Sequence, residues 1–166
     1  MTAFPSGVRT IPVEATESVA PVLFRRREFR EGSGGAGQFR GGLGQVIELG
    51  GADGTPIAML CNFERISNPA RGRDGGSAGA PGRVSLISGK PIGPKGRQSV
   101  PGGDFIRLET PGGGGFCNPA KRDPEQVALD VADGLISRED AERDYRVTLT
   151  AEGRVDHAAT DRLRPA

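Results

Sequence analysis

The chain has 166 residues, a formal net charge of +1 and no Trp, and 40 of its residues are Gly or Pro. One domain of ordinary size fits that length. With 22 basic against 21 acidic side chains and a single Tyr, it lacks the positive field and the stacking aromatics of a nucleic-acid binder. No apolar run approaches the roughly 18 residues that span a bilayer. The opening, MTAFPSGVRTIP, lacks the plan of a secretory signal. The expectation is a soluble, cytoplasmic protein with no membrane or nucleic-acid partner. Cys61 and Cys117 form no CxxC pair, which points to two reduced, buried thiols.

In chain order, residues 1–18 are polar and read as an extended lead-in. Val19 to Arg30 reads as a strand. Gly32 to Gly44 holds seven glycines in thirteen residues, yet Phe39, Arg40 and Leu43 interrupt them, so a packed turn competes with a linker. Gln45 to Leu49 alternates like a strand. Asp53-Gly54 then predicts a hairpin whose returning strand is Ile57 to Phe63. Asn68 to Gly82 is a long loop, Arg83 to Ile87 a short strand, and Lys90 to Val100 a turn-rich connection. Asp104 to Glu109 is a strand that enters four consecutive glycines, Gly112, Gly113, Gly114 and Gly115. Four positions without a Cβ imply either unusual backbone angles or the close approach of another chain or ligand.

Helical signals come last. Asp123 is an N-cap with Pro124 at the first position and Gln126 completing a capping box, and Gly134 supplies the stop. Ser137 with Asp140 opens a second short helix, stapled by Ile136 onto Ala141. Arg146 to Leu149 reads as a terminal strand, and 151–166 as a flexible polar tail after a domain of residues 1–150. The expected fold class is α+β, mainly β: a short-stranded sandwich or barrel-like sheet, Gly-rich loops and a small helical pair near the C-terminus.

Motifs for chemistry are sparse. No P-loop or dinucleotide fingerprint occurs, which leaves only backbone N–H nests as a phosphate reading. Gly75-Gly76-Ser77-Ala78-Gly79 has the spacing of a nucleophile elbow but lacks its strand and helix flanks. The sole histidine, His157, sits far along in a polar stretch. Carboxylates at Glu64, Asp104 and Glu109 are expected to pair with nearby arginines rather than do acid–base work. No catalytic residue and no metal ligand is assigned. Arg40, Glu64, Arg65, Asp104 and the four glycines remain as candidate substrate-binding or interface positions.

Longer stretches carry a resemblance. Ile11-Pro12-Val13-Glu14, the run from Ser33 to Gly44 (SGGAGQFRGGLG), Glu109-Thr110-Pro111 with its four glycines, Arg122-Asp123-Pro124, Asp130-Val131, Gly134 and Asp144-Tyr145 follow one family's order. The chain resembles the C-terminal part of the hydantoinase B/oxoprolinase family, which includes N-methylhydantoinase B subunits, 5-oxoprolinases and the large subunits of acetone and acetophenone carboxylases. Phe116-Cys117-Asn118-Pro119 departs from the family's usual aromatic-Gly-Asp-Pro, and Ser67 to Gly82 departs from its usual loop.

The resemblance implies a segment or split subunit of an ATP-dependent amidohydrolase that opens cyclic amides such as hydantoin or 5-oxoproline. No cofactor is expected on this chain; ATP and a divalent metal are implied for the complete complex. The implied partners are a hydantoinase A-like subunit and the N-terminal portion of the hydantoinase B-type chain, in a hetero-oligomer. Two alternatives stay open: part of an ATP-dependent ketone carboxylase, and a stand-alone, non-enzymatic β-rich binding module.

Overall fold

A computed structural model describes residues 10–164. Four antiparallel strands form the main sheet: β1 (Val22–Phe29), β2 (Gln45–Gly51), β4 (Arg83–Leu86) and β6 (Phe105–Glu109), in the order β1-β2-β6-β4. A separate ribbon pairs β3 (Ile57–Asn62) with β5 (Lys95–Val100). Alternation places Leu49, Ile106, Leu108, Val84 and Leu86 on one face of the sheet, where they meet Ile57, Met59 and Val100 of the ribbon. This makes a small two-layer sandwich, not closed into a barrel. Its centre is Ile106 and Val100, both 0% exposed. The architecture is α+β and mainly β, as expected.

The sheet's other face is charged. Glu48 faces Arg107 across the β2–β6 pairing at 3.5 Å, and Glu109 binds Arg30 at 3.1 Å and Arg107 at 3.3 Å. Cross-strand pairing of opposite charge stabilises the sheet here, as an aromatic pair would elsewhere. Arg25, beside an irregularity between Phe24 and Arg26, lies 3.4 Å from the Phe105 ring centroid.

Several expectations fail for physical reasons. Within the lead-in, α1 (Val13–Val19) is helical although it buries no residue. Its Glu17 accepts from the Phe24 N–H at 2.7 Å, so β1 rather than an internal apolar stripe holds it. The part of the lead-in before Thr10 lies outside the described residues. Asp53 and Gly54 do take positive φ (51° and 74°), but the strands around them never pair with each other. The turn chemistry was legible; the partner was not, because β2 is already flanked by β1 and β6. Lys95–Val100, assigned to a connection, is the strand β5; its Lys, Gly, Arg and Gln suit an exposed ribbon and hide any alternation.

The helical unit follows its caps. In α2 (Pro124–Ala132), Asp123 accepts from the Glu125 N–H at 3.1 Å, and Gly134 stops the helix at φ 66°. In α3 (Arg138–Tyr145) Ser137 and Asp140 open the helix as expected, and the reciprocal box forms here rather than at Asp123 and Gln126: Asp140 N donates to Ser137 Oγ at 3.0 Å and Ser137 N to Asp140 Oδ2 at 3.2 Å. Ile136 and Ala141 are buried in one cluster with Val127, Tyr145 and Val147. The predicted strand at Arg146 to Leu149 is absent. Arg146 is left-handed (φ 55°) and only Leu149 makes an isolated bridge, to Val155. Nor do residues 151–164 fray. They carry α4 (His157–Leu163), Val155 and Thr160 are buried, and the Arg164 guanidinium donates to the carbonyls of Tyr145 and Arg122. Three hydrogen bonds to backbone carbonyls from one arginine outweigh the polar composition that suggested a tail.

Between sheet and helices lies a block of three glycine-rich segments, residues 33–44, 71–80 and 110–117. They interlock by backbone bonds: Gly35 N to Gly113 O at 2.8 Å, Gly113 N to Gly42 O at 2.9 Å, Ser77 N to Ala36 O at 2.7 Å and Gly115 N to Ser77 O at 2.9 Å. Buried Ser33 ties the first segment to itself, donating to the Arg30 carbonyl at 2.5 Å and accepting from Gly44 N at 2.8 Å. The joint between block and helical unit is ionic. Asp130 on α2, 7% exposed, accepts from Arg40 Nε at 3.2 Å and Arg122 Nη2 at 2.9 Å. Arg122 also donates to the Gln38 carbonyl at 3.1 Å.

These contacts set three expected stability effects. A Cβ on Gly35 would collide with the Ser77 carbonyl and come 2.7 Å from Gly115 N, whereas one on Gly42 meets nothing. Gly35→Ala is expected to cost about 3 kcal/mol or more and Gly42→Ala to stay within about 0.5 kcal/mol, read by urea denaturation. Asp130→Ala leaves two half-buried guanidinium groups without a counter-charge. It should cost roughly 3–5 kcal/mol, with Asp130→Asn intermediate, by the same measurement. A chain ending at residue 150 loses the buried Val155 and Thr160 and the Arg164 bonds. Its thermal unfolding should show a loss of at least about 3 kcal/mol or no cooperative transition.

Candidate functional site

The candidate positions do not form one site. The structure gives the four glycines a clear reason. None of Gly112 to Gly115 has positive φ, so unusual backbone angles are not the cause. Close approach is. A Cβ at Gly112 would strike the Ser33 carbonyl, at Gly114 that of Arg71, and at Gly115 that of Ala36, while at Gly113 it would press on Gly42 N at 3.1 Å. The approaching backbone belongs to this same chain. Three of the four glycine N–H groups are also spent: those of Gly112, Gly113 and Gly115 donate to the carbonyls of Ala80, Gly42 and Ser77. These three therefore offer no anion nest.

Arg40 is absorbed by the Asp130 joint, so its charge holds the helical unit in place. Asp104 lies at the opposite end of β6 from Thr110, roughly 20 Å away along the strand. It accepts from the Ser88 hydroxyl, from Ser88 N at 3.2 Å and from Phe105 N at 2.8 Å, and the Ser88 bond foremost holds its carboxyl below the usual carboxylate range. It is a loop staple. Ser77, of the elbow-like spacing, has its backbone built into the glycine block, and His157 stands on α4 with Nε2 3.4 Å from Glu125. Cys61 is buried in β3, but Cys117 is only half-buried, correcting its expected burial; both are free thiols.

Glu64 and Arg65 do meet the glycine motif, at its base. They line a cavity of about 330 Å³ with Phe63, Ile66, Leu108 and Pro111. Glu64 is exposed and ion-paired to Lys95, and Arg65 stands at φ 56°. Glu109 and Arg83, 4.0 Å apart, also line it. The expectation that arginines neutralise Glu109 holds; Glu64 takes a lysine and Asp104 a serine instead. Apolar walls with paired charges at the rim can hold an apolar group beside a polar one. They do not assemble a nucleophile with a base.

At the other end of the block stands an aromatic pair that no local sequence pattern announces. Phe39 and Phe116 stack with ring centroids 6.1 Å apart and planes inclined by 29°. Their backbones exchange two bonds, at 3.1 and 2.9 Å, and Arg73 N donates to Gly115 O at 3.0 Å beside them. Phe39 is nevertheless 60% exposed and Phe116 43%. A signal existed, since each phenylalanine interrupts or ends a glycine run, but nothing in one dimension says that the two runs meet. Asp130 and Arg122 stood in the sequence only among the segments that carry the family resemblance, not as candidate site positions.

Comparison with known proteins places this geometry. The hydantoinase B/oxoprolinase family model matches residues 1–119. The B subunit of a putative D-/L-hydantoinase from Pseudomonas sp. (strain NS671) is 32% identical over 96% of this chain and 28% of its own length. The beta subunit of caprolactamase from Pseudomonas jessenii is 31% identical over 93% of this chain and 28% of its own. Among solved structures, the ATP-dependent caprolactamase from Pseudomonas jessenii superposes on 93% of this chain and 28% of its own, with a TM-score of 0.76 at 29% identity. An acetone carboxylase superposes on 92% of this chain and 25% of its own with a TM-score of 0.66, and at 24% identity that likeness is one of fold. The chain thus spans about 28% of the length of these curated relatives. Among the described residues no helix is long and apolar enough to cross a membrane. The chain belongs to the hydantoinase B/oxoprolinase family.

Proposed function

We propose that this chain is the C-terminal segment, or a split small subunit, of a hydantoinase B-type protein. The enzyme it serves is an ATP-dependent amidohydrolase that opens a cyclic amide of the hydantoin or 5-oxoproline type. Its own share is structural: a rigid glycine block that carries interfaces and holds the cavity at Glu64 and Arg65. The single observation behind this reading is a family match across most of this chain that spans only 28% of a hydantoinase subunit and of a caprolactamase subunit. Ring opening needs the amide activated by phosphoryl transfer and then attacked by water. The carboxylates here do not suit a metal or an attacking base, because Glu64, Asp104, Glu109 and Asp130 are engaged by Lys95, Ser88 and arginines. ATP and a divalent metal belong, on this reading, to a hydantoinase A-like partner and to the remainder of the hydantoinase B-type protein, in a hetero-oligomer. Hydrolysis is preferred to ketone carboxylation because relatives above 30% identity include chains named for a hydantoinase, a caprolactamase and a 5-oxoprolinase, and the carboxylase likeness is one of fold.

The test exchanges the matching portion of the Pseudomonas jessenii caprolactamase beta chain for this chain. The chimera, with its partner subunit, is expected to assemble and to retain measurable ATP-dependent caprolactam opening. The isolated 166-residue chain should hydrolyse neither hydantoin nor 5-oxoproline with ATP. Turnover by the isolated chain, or a chimera that does not assemble, overturns the proposal.

A further inference from the structure

The aromatic tip of the glycine block has no use within the fold described so far. Two phenylalanines exposed side by side are costly in water and would add more if buried, since an offset-stacked pair presents a broad apolar face. Their support is unusually rigid. Phe39 and Phe116 are joined by two backbone bonds, Arg73 bridges on beside Phe116, and Gly37 packs so closely that a Cβ there would sit 2.6 Å from Phe116 N. Cys117, the next residue, is held at φ 61°. A platform that does not reorganise loses little entropy when a partner covers it. Arg73 bridges to Phe116 and Arg71 lies two residues before it with its carbonyl against Gly114; both are exposed and neither is within 4.0 Å of a carboxylate among the described residues, Asp74 included. Aromatic anchors flanked by free guanidinium groups are the composition of an interface centre, and the free charge fits a carboxylate-bearing partner.

We infer that the Phe39–Phe116 tip, with Arg71 and Arg73, is the docking point for the remainder of the hydantoinase B-type protein, through a segment that offers an apolar side chain beside an acidic one. The argument for this occupant is length. The caprolactamase chain superposes on 93% of this one yet this chain covers only 28% of it, so a far larger body of protein adjoins the same unit there. The inference rests on the proposed function and names the surface through which that function acts.

The experiment labels cysteines in the same chimera and in the isolated chain. Phe39→Cys and Arg73→Cys are made separately on a Cys117→Ser background, with buried Cys61 left in place. In the isolated chain both introduced thiols should react with a maleimide at the rate of exposed cysteines. In the assembled chimera both should react at least roughly tenfold more slowly, as burial at an interface centre requires. Equal rates in an assembled chimera overturn the docking point while leaving the proposed function standing. A chimera that does not assemble overturns both. Arg73→Cys keeps the aromatic stack, so loss of folding by Phe39→Cys leaves the question decidable. Charge is read separately: Arg71→Glu with Arg73→Glu should release the segment, so that labelling at Phe39→Cys returns to the isolated rate.

Discussion

Backbone meeting backbone without side chains between is the constraint on which the structure depends. Three segments, residues 33–44, 71–80 and 110–117, come close enough that a Cβ at most of their glycines would enter a neighbouring carbonyl. Ordinary cores fill the space between elements with side chains. Here the space is absent, and N–H···O bonds between segments replace apolar burial. That exchange accounts for the composition. A chain with 27 glycines and 35% hydrophobic residues has too little apolar surface for a core of ordinary thickness, yet folds, because part of its interior is peptide groups satisfying one another. Each glycine in the block loses more conformational entropy than another residue would. The block therefore has to be supported from both sides.

Support comes from two unlike neighbours. On one side β6 runs directly into the block through Thr110, whose hydroxyl accepts from Gln45 N at 2.6 Å and whose N–H donates to Gln45 O at 2.8 Å. On the other, the helical unit grips it by charge, with Asp130 between Arg40 and Arg122. Tyr145, 1% exposed, packs in the cluster beneath α2, and burial foremost pushes its hydroxyl's pKa up, so it stays a neutral phenol. A buried ion pair is a weak source of stability but a strong fixer of orientation. Its place at this junction fits that role, since the glycine block offers few side chains by which a helix could find its register.

What could be read in one dimension follows the same division. Caps and local periodicity were legible: Ser137 with Asp140, Asp123 before Pro124, Gly134 as the stop, and the strands read at 19–30, 45–49 and 104–109, which form as Val22–Phe29, Gln45–Gly51 and Phe105–Glu109. Each depends on residues within about four positions of one another. Pairings that span many residues were not legible. Asp53-Gly54 announced a turn, but β3 found β5 rather than β2. Lys95–Val100 is polar because its ribbon is exposed, and polarity reads as loop. Arg40 drew attention as an arginine among glycines, and its partner lies ninety positions on. The same blindness hid the Phe39–Phe116 pair. The four glycines were legible as an anomaly and as a family mark; that their own chain was the close neighbour was not.

This origin of the glycines bears on what family membership says about chemistry. A side chain discriminates substrates by shape and polar complement; a buried peptide group that already donates and accepts within its own chain can do neither. The motif that carries the resemblance is thus among the parts least able to choose a substrate. That is consistent with a family whose members are named for a hydantoin, a lactam and 5-oxoproline. Specificity has to sit where side chains reach free space. Among the described residues the cavity rim at Glu64, Arg65 and Arg83 and the aromatic tip are two such places. The rim borders a cavity of about 330 Å³, and the tip exposes two stacked rings. On the proposed reading, a scaffold fixed by its backbone packing leaves variation to the side chains at its two ends, so the glycine motif marks the family without marking the substrate.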